Sequence, residues 1–422
     1  MGLLKSNLIT LAGGASAPPV DPTLALDLEF SSMTALPARI TFARASIGTY
    51  FDKDGVLQTA LSGEARFDHD PVTLEPLGLL IEEGRTNLQR YSQDFSQWTA
   101  TLCTIAPAAA LDGTTSATNI IPDNTVNTHR LASQASTVNT TSTYTVSFYA
   151  KKGAANFVSL SGAGAYNYCA WNLDTGTLAG NGTPWTNPRI QACGNGWYRC
   201  YANCIFIGTA VNIQIYGALT VNAAGQPGAA AGDGVAPWIT IWGAQIELGS
   251  FPTSYIPTTT AAVPRAGDSA QMTGVNFSSW FDALTEGTIN VRCVYNAQAA
   301  STSQSSFDIR SDTQNLQALT FYTGVVTYVT AYSGGGIQSS LNLGNKTLGL
   351  PLNTAWSYDS TQRRGSQNGG AIVTAAYVLP TTPVQCSFGG TAGNASGACT
   401  FASVKIWNVA KTDAELIALT TP

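Results

Sequence analysis

The chain has 422 residues, which is longer than one hydrophobic core usually serves and predicts two or three domains. Charged residues make up only 11% of it, and 20 Lys and Arg against 25 Asp and Glu leave a formal net charge of −5 at pH 7. Because no basic cluster offers a footprint for a phosphate backbone, we expect no nucleic-acid partner. We also expect no membrane insertion, since no apolar run approaches the roughly 18 residues that span a bilayer.

Residues 1–23 are predicted to form an arm that docks on a partner protein. A signal peptide is the alternative. It fits poorly because Ser6, Asn7 and Thr10 interrupt the apolar stretch, although GASAPP resembles a cleavage site. The candidate docking residues are the apolar side chains Leu3, Leu4, Leu8 and Ile9.

Residues 24–87 are predicted to form a small β segment that packs onto the next domain of the chain. Apolar and polar residues alternate from Leu24 to Phe30, as on a half-buried strand. Two further strands should meet at Asp52-Lys53-Asp54-Gly55, since Asp-Gly favours the positive φ angles of a tight hairpin. An apolar strand comes next at Leu77–Ile81.

Two larger antiparallel β-sandwiches are predicted at 88–257 and 285–422, joined by a Pro-containing linker at 258–284. In the first, strand-like segments begin at Tyr144, Asn156, Tyr168, Trp197, Val211 and Trp238. In the second, the convincing helix is Thr412–Leu419, which Thr412 and Glu415 begin with a capping box. The predicted fold class is therefore all-β.

Catalysis is not predicted. Seven carboxylates lie near one another in sequence, but most belong to Asp-Gly or Asp-Pro turns, where they serve the backbone: Asp52, Asp54, Asp68, Asp70, Glu75, Glu82 and Glu83. Asp52-x-Asp54-Gly55 resembles the start of a calcium loop, yet Gly63 stands where the bidentate glutamate belongs. Nucleophile-elbow, zinc-helix and phosphate-loop motifs are absent, so we predict no cofactor, no metal and no enzyme activity.

The eight cysteines do not define a disulfide framework, because eight allow 105 pairings. Cys386 and Cys399 flank a glycine-rich turn and are candidates to bond across a hairpin. One bridge among Cys193, Cys200 and Cys204 is a second option. Free buried thiols are the alternative for each pair.

Glycan binding is the activity that the residue types favour. Aromatic rings pack on the apolar faces of sugars, and amides bind their hydroxyls, so Trp or Tyr beside Asn on sandwich loops is the pattern to seek. Strand tryptophans such as Trp197, Trp242 and Trp407 are expected in the core. The candidate carbohydrate-binding residues are Tyr166, Tyr168, Trp185, Asn187, Tyr332 and Trp356.

Several motifs resemble a family of phage virion appendage proteins, which includes tail-fibre, head-fibre and spike-like proteins. They are GLLIEEGRTNL at 78–88, YSQDFSQW at 91–98, WGAQIELGSFPTSYIPT at 242–258 and RAGD at 265–268. The last part, ACTFASVKIWNVAKTDAELIALT, resembles the closing strand and helix of laminin-G or concanavalin A-like domains. The resemblance implies a jelly roll like those of carbohydrate-binding modules, whereas periodicity alone supports only an antiparallel sandwich.

The resemblance also implies a setting. It favours a structural component of a phage virion that forms a homotrimer, contacts capsid, neck or tail proteins, and reaches the outside after lysis of the host. Binding to host-surface glycans is a further role that it implies. A receptor-binding adhesin is the alternative as the primary role, and a glycan depolymerase is a third.

Overall fold

The computed structural model describes residues 21–162, 167–282, 285–295, 304–321, 326–376, 382–390 and 398–422. Within these ranges the elements are mainly antiparallel β-strands, which confirms the predicted all-β class. Two α-helices, α1 (Val275–Ser278) and α2 (Asp413–Thr420), and two 3-10 helices, Phe30–Ser32 and Phe95–Gln97, accompany them.

The strands fall into three runs along the chain. The first run is β1 (Leu24–Glu29), β2 (Thr41–Ala43), β3 (Gly48–Phe51), β4 (Leu57–Ala60), β5 (Arg66–His69), β6 (Pro76–Glu82) and β7 (Arg85–Asn87). The second is β8 (Thr99–Thr101), β9 (Cys103–Ala108), β10 (Ala117–Pro122), β11 (His129–Ala132), β12 (Ser136–Thr137), β13 (Thr143–Lys152), β14 (Phe157–Ser161), β15 (Tyr168–Asn172), β16 (Thr177–Asn181), β17 (Thr186–Ala192), β18 (Trp197–Ile205), β19 (Ala210–Val211), β20 (Gln214–Ala218) and β21 (Ile239–Leu248). The third is β22 (Val263–Arg265), β23 (Ser269–Thr273), β24 (Gly287–Tyr295), β25 (Gln304–Arg310), β26 (Leu316–Phe321), β27 (Val326–Ser333), β28 (Gly336–Asn345), β29 (Pro351–Tyr358), β30 (Gln362–Gln367), β31 (Val373–Ala376), β32 (Gln385–Phe388) and β33 (Ala398–Trp407).

The second run forms the middle sandwich. Its two sheets have the orders β17-β18-β13-β21-β10-β9 and β16-β15-β14-β20-β11-β8. On β13, Val146, Phe148 and Ala150 point into the core between the sheets, as the alternation of a strand requires. The residues between them, such as Ser147 and Tyr149, therefore face outward from the middle sandwich.

The other sandwich is built from both ends of the chain. One sheet has the order β31-β30-β29-β24-β33-β6-β5, with β1 also paired to β33, and the other is β2-β23-β32-β25-β26-β27-β28. Leu26, Phe30 and Leu79 share its core with Val404. The middle sandwich is thus an insertion in the chain of this outer sandwich.

This topology corrects two predicted boundaries. Residues 24–87 are not a separate small segment, because β1, β2, β5 and β6 belong to the sheets of the outer sandwich. The predicted linker at 258–284 contains β22, which pairs with β7, and β23, which pairs with β2 and β32. Alternation along a strand reports which face is buried, but it does not identify the distant strand that supplies the pairing.

Local predictions based on turn and cap chemistry are confirmed. β3 and β4 form the predicted hairpin, in which the Asp52 carboxylate accepts from the backbone N–H groups of Asp54 and Val56. Thr412 caps α2 with the predicted capping box to Glu415. None of the described helices has both the length and the apolar character needed to cross a membrane.

All eight cysteines are free thiols, and seven of them are buried. Cys386 and Cys399 do not face each other across one hairpin, because β32 and β33 belong to the two different sheets of the outer sandwich. Cys200 and Cys204 point into the core of the middle sandwich, whereas Cys193 packs in a separate small cluster with Tyr149, Trp197 and Trp242. The alternative of free buried thiols therefore holds for both candidate groups, and these side chains serve as small apolar groups.

Candidate functional site

The first group of predicted sugar-binding residues does not form an exposed aromatic platform. Trp185 is only 2% exposed and packs in the core of the middle sandwich, where its Nε1 donates to the Asn167 carbonyl at 3.2 Å. Asn187 is exposed beyond it. Tyr168 is half-buried, and its ring lies 5.7 Å from that of Tyr216. Tyr166 lies outside the described residues.

The second group is divided between two sheets. Trp356 on β29 is fully buried, and its Nε1 donates to the Gln317 side chain at 3.4 Å. Tyr332 is half-buried on β27, in the opposite sheet. Trp356 and Trp185 are therefore both core residues, and neither is a sugar platform. The predicted docking residues Leu3, Leu4, Leu8 and Ile9 lie outside the described residues.

A cleft of about 940 Å³ lies between the two sandwiches. Its walls come from the strands β3 to β5, the outer face of β17 and β18, the exit segment 252–255 and the segment 346–351 of the outer sandwich. The volume is within the range of small-ligand sites. Clefts at domain boundaries are a preferred place for such sites, and we take this one as the candidate functional site.

One wall of the cleft is a four-residue group, here called the β17–β18 patch: Arg189, Gln191, Arg199 and Tyr201. Arg189 is directly opposite Tyr201 in the β-ladder, and Gln191 is directly opposite Arg199. Residues opposite each other point to the same face of a sheet with Cβ atoms about 5 Å apart. Both pairs line the cleft, so two guanidinium groups, an amide and a phenol share one small surface.

Arg199 is the buried member of the β17–β18 patch, with 8% of its surface exposed. Its Nη2 donates to the Thr253 carbonyl at 2.7 Å and to Ser147 Oγ at 3.1 Å, and the guanidinium lies 5.4 Å from the centre of the Tyr149 ring. Its Nε is buried and has no hydrogen-bond partner in the described part of the chain. Among the described residues no carboxylate lies within 4.0 Å of this guanidinium, but the buried carboxylates of Glu247 and Glu82 lie close enough to help raise the pKa of Arg199.

Arg189 is the exposed member of the same patch. Its guanidinium makes no hydrogen bond or ion pair with another described residue. Gln191 is exposed beside it, and Tyr201 is half-buried. The patch therefore presents free donors and an aromatic surface to the cleft.

Asp68 also lines the cleft, from β5. Burial raises the pKa of its carboxyl to about 7, and it does so despite a 2.8 Å hydrogen bond from the Phe51 backbone N–H and the nearby Arg66 charge. The Asp70 carboxylate, by contrast, is occupied in its own turn and accepts from the N–H groups of Val72 and Thr73.

Lys346 reaches the cleft from the outer sandwich. It is 5% exposed, and its ammonium lies 4.3 Å from the centre of the Phe321 ring and 5.3 Å from that of Tyr295. Burial lowers the pKa of this amine to about 8. The cleft thus holds a third cationic side chain near neutral pH.

Beneath the cleft lies a buried set of charges, here called the junction network: Arg44, Arg66, Glu82, Arg265 and Asp268. Arg66 donates to Glu82 Oε2 at 2.7 Å and to Asp268 Oδ2 at 2.5 Å, and Arg44 donates to Asp268 Oδ1 at 3.0 Å. Arg265 lies 3.6 Å from Glu82. Burial alone raises the pKa of Glu82, but Arg265, Arg66 and hydrogen bonds from Ser254 together lower it to about 2.

The charges of the cleft suit binding better than acid–base catalysis. A glycosidase needs one carboxyl that donates a proton and a second that acts as nucleophile or base. Asp68 has a pKa suited to the first role. Glu82 lines the same cleft, but Arg66, Arg265 and Ser254 occupy its oxygens.

Sequence reasoning assigned no function to the β17–β18 patch. The signal was present in WYRCYANCI, where Arg199 and Tyr201 alternate with core residues such as Cys200 and Ala202, and in TNPRIQA, where Arg189 and Gln191 flank the half-buried Ile190. Alternation identifies Arg189, Gln191, Arg199 and Tyr201 as outward-facing. It does not reveal that a second domain turns this outer face into a cleft.

No protein-family model and no curated protein matches this chain. The solved structures that it resembles include carbohydrate-binding modules and receptor-binding domains. One is the sialidase CBM40 of Ruminococcus gnavus bound to α2,3-sialyllactose, at 18% identity over 33% of this chain and 84% of that chain, with a TM-score of 0.28. A second is domain 4 of the arabinanase AbnA from Geobacillus stearothermophilus with arabinotriose, at 11% identity over 41% of this chain and 84% of that chain, with a TM-score of 0.30. A third is the binding domain of Paraclostridial Mosquitocidal Protein 1, at 10% identity over 36% of this chain and 43% of that chain, with a TM-score of 0.29.

Proposed function

We propose that this chain is a glycan-binding adhesin that holds host-surface sugars in the cleft between its two sandwiches. The observation that carries the proposal is the β17–β18 patch, where free donors and a tyrosine ring share one open wall of a ligand-sized cleft. Sugars bind to such surfaces because a ring packs on their C–H face while amide and guanidinium groups bind the hydroxyls. We propose no catalytic step.

The test is binding of the purified chain to an array of glycans, followed by titration calorimetry on those retained. We expect saturable binding that Tyr201→Ala weakens at least tenfold, because the ring supplies apolar contact in the cleft. Tyr168→Ala is the matched control, since Tyr168 is also a half-buried strand tyrosine but lies on the other sheet of the middle sandwich. If Tyr168→Ala loses binding and Tyr201→Ala binds as tightly as the wild type, the sugar binds instead at the site predicted from sequence.

We further propose that the adhesin is part of a phage virion, where it associates with itself as a homotrimer and with capsid, neck or tail proteins. This proposal is supported by the amino-acid sequences of the four motifs between 78 and 268, which resemble phage virion appendage proteins. The test is detection of the chain in purified particles and measurement of its mass in solution by light scattering. Serine substitution of Leu3, Leu4, Leu8 and Ile9 should reduce incorporation into particles without reducing glycan binding. A monomer that never copurifies with particles contradicts this setting.

A further inference from the structure

We infer that the ligand of the cleft is an acidic glycan, whose carboxylate binds Arg189 and Arg199 of the β17–β18 patch. This inference rests on the proposed function and specifies its ligand class. It is carried by two cationic side chains on one wall, neither of which has a carboxylate within 4.0 Å among the described residues.

The first step concerns the buried guanidinium. An arginine that is removed from water is normally matched by a carboxylate, because an unpaired buried charge is costly. Arg199 instead has a backbone carbonyl, a hydroxyl and an aromatic ring as neighbours, with its Nε unsatisfied. The carboxylates of Glu247 and Glu82 act on Arg199 only from beyond 4.0 Å, so an anion arriving from the cleft would supply a direct partner for the guanidinium.

The second step concerns the exposed guanidinium. Arg189 and Arg199 occupy diagonal positions of one antiparallel strand pair, because they lie opposite Tyr201 and Gln191 respectively. Diagonal neighbours are about 7–8 Å apart, and long side chains close part of that distance. The guanidinium fork of Arg189 fits the two oxygens of a carboxylate, while Gln191 and Tyr201 remain for the hydroxyls and the ring of the sugar.

The third step concerns the acidic groups that face the same cleft. Glu82 is neutralised by Arg66 and Arg265, and Asp70 is occupied by two backbone N–H groups of its own turn. Asp68 and Asp70 also line the cleft, from β5 and the turn that follows it. Lys346 adds a positive charge from the outer sandwich. The β17–β18 patch itself carries two arginines and no carboxylate, although the whole chain carries a formal charge of −5.

The experiment compares glycans that differ only in the carboxylate. Calorimetry would use a glucuronic-acid oligosaccharide against its carboxyl-reduced form, and 3′-sialyllactose against its carboxyl-reduced form, each at low and at high salt. The two pairs separate a uronic acid from a sialic acid as the source of the carboxylate. We expect at least one acid to bind about tenfold or more tightly than its neutral counterpart, with a preference that shrinks at high salt.

Arg189→Ala should remove most of this preference, and Arg189→Lys should keep part of it, because lysine retains the charge but not the fork. Arg39→Ala is the matched control, since Arg39 is also exposed and lies outside the cleft. Arg199→Met tests whether the buried guanidinium contributes to the preference for the acidic glycan, and circular dichroism checks that the variant is folded.

Each outcome is decisive. Equal binding of acidic and neutral forms, both weakened by Tyr201→Ala, would overturn the acidic ligand and leave the glycan cleft standing. A carboxylate preference that Arg189→Ala leaves unchanged would likewise overturn the assignment to the β17–β18 patch. Absence of saturable binding to any glycan would overturn the proposed function itself.

Discussion

Substitution of Asp268 by asparagine tests whether the junction network holds the two ends of the outer sandwich together. The Asp268 side chain is fully buried and accepts from Arg44, from Arg66 and from the backbone N–H of Glu82. Asparagine keeps the volume but removes the charge, and it turns an NH₂ group towards an arginine donor. Arg66 and Arg265 would then share Glu82, and Arg44 would be left without an acidic partner in the network.

The expected loss is large compared with the stability of the protein. Removing one partner from a buried ion pair costs about 3–5 kcal/mol, because the remaining charge stays desolvated. Folded domains are stable by only about 5–15 kcal/mol. We therefore expect Asp268→Asn to lower the free energy of unfolding by about 3 kcal/mol or more. The measurement is urea denaturation, in which the dependence of the unfolding free energy on urea concentration is compared between variant and wild type.

Two readouts make this prediction specific. Hydrogen exchange should accelerate most in β5, β6 and β23, which surround the network. The matched control is Asp54→Asn, which removes an ion pair to Lys53 in which both side chains are more than half exposed. Such a surface pair contributes about 0–1 kcal/mol. If Asp268→Asn costs no more than Asp54→Asn, the network does not stabilise the junction and the reasoning is wrong.

Three further predictions concern single side chains. Asp68→Asn should equal the wild type below pH 4 and exceed its stability by up to about 4 kcal/mol at pH 8, because the wild-type carboxyl ionises near pH 4 when unfolded but near pH 7 when folded. Urea denaturation across this range checks the prediction, and a difference that does not grow between pH 4 and 7 contradicts it. Trp185→Ala should cost about 3–5 kcal/mol by opening a core cavity, whereas an unchanged melting temperature would mean that the side chain is exposed. Thr412→Ala should cost about 1 kcal/mol through loss of the capping box, measured by denaturation against Thr421→Ala.

Sequence reasoning succeeded where a structure depends on neighbouring residues. The hairpin at Asp52–Gly55 and the cap at Thr412 were predictable because turn and cap chemistry act over four or five residues. The strand at Thr143–Lys152 was predictable from alternation within one window. These features carry their own cause in the local sequence.

Long-range features were not predictable in the same way. β1 pairs with β33, and Leu24 lies directly opposite Trp407, although nearly the whole sequence separates the two residues. Nothing in the local pattern of Leu24–Glu29 identifies that partner. Trp185 shows the same limit at one residue, because its Pro, Gly and Asn neighbours indicate a loop but do not say that the indole turns inward.

The four motifs at 78–88, 91–98, 242–258 and 265–268 coincide with the junction and not with the β17–β18 patch. RAGD supplies Arg265 and Asp268, and GLLIEEGRTNL supplies Glu82, all members of the junction network. Tyr255 of the long motif and Ser92 of YSQDFSQW bond to each other through their hydroxyls. These residues determine how the middle sandwich is inserted into the outer one, and thereby create the cleft.

The β17–β18 patch lies outside all four motifs. A chain can therefore keep the junction and change Arg189 and Gln191, because these two side chains make no contribution to the junction network. The four motifs thus supply residues of the scaffold, whereas under the proposed function ligand choice depends on residues that the motifs do not include. Exchanging Arg189 and Gln191 should for that reason alter which glycan binds and leave the free energy of unfolding within about 0.5 kcal/mol of the wild type. A large loss of stability from this exchange would show that Arg189 and Gln191 also stabilise the scaffold, so that ligand choice and stability are not separate.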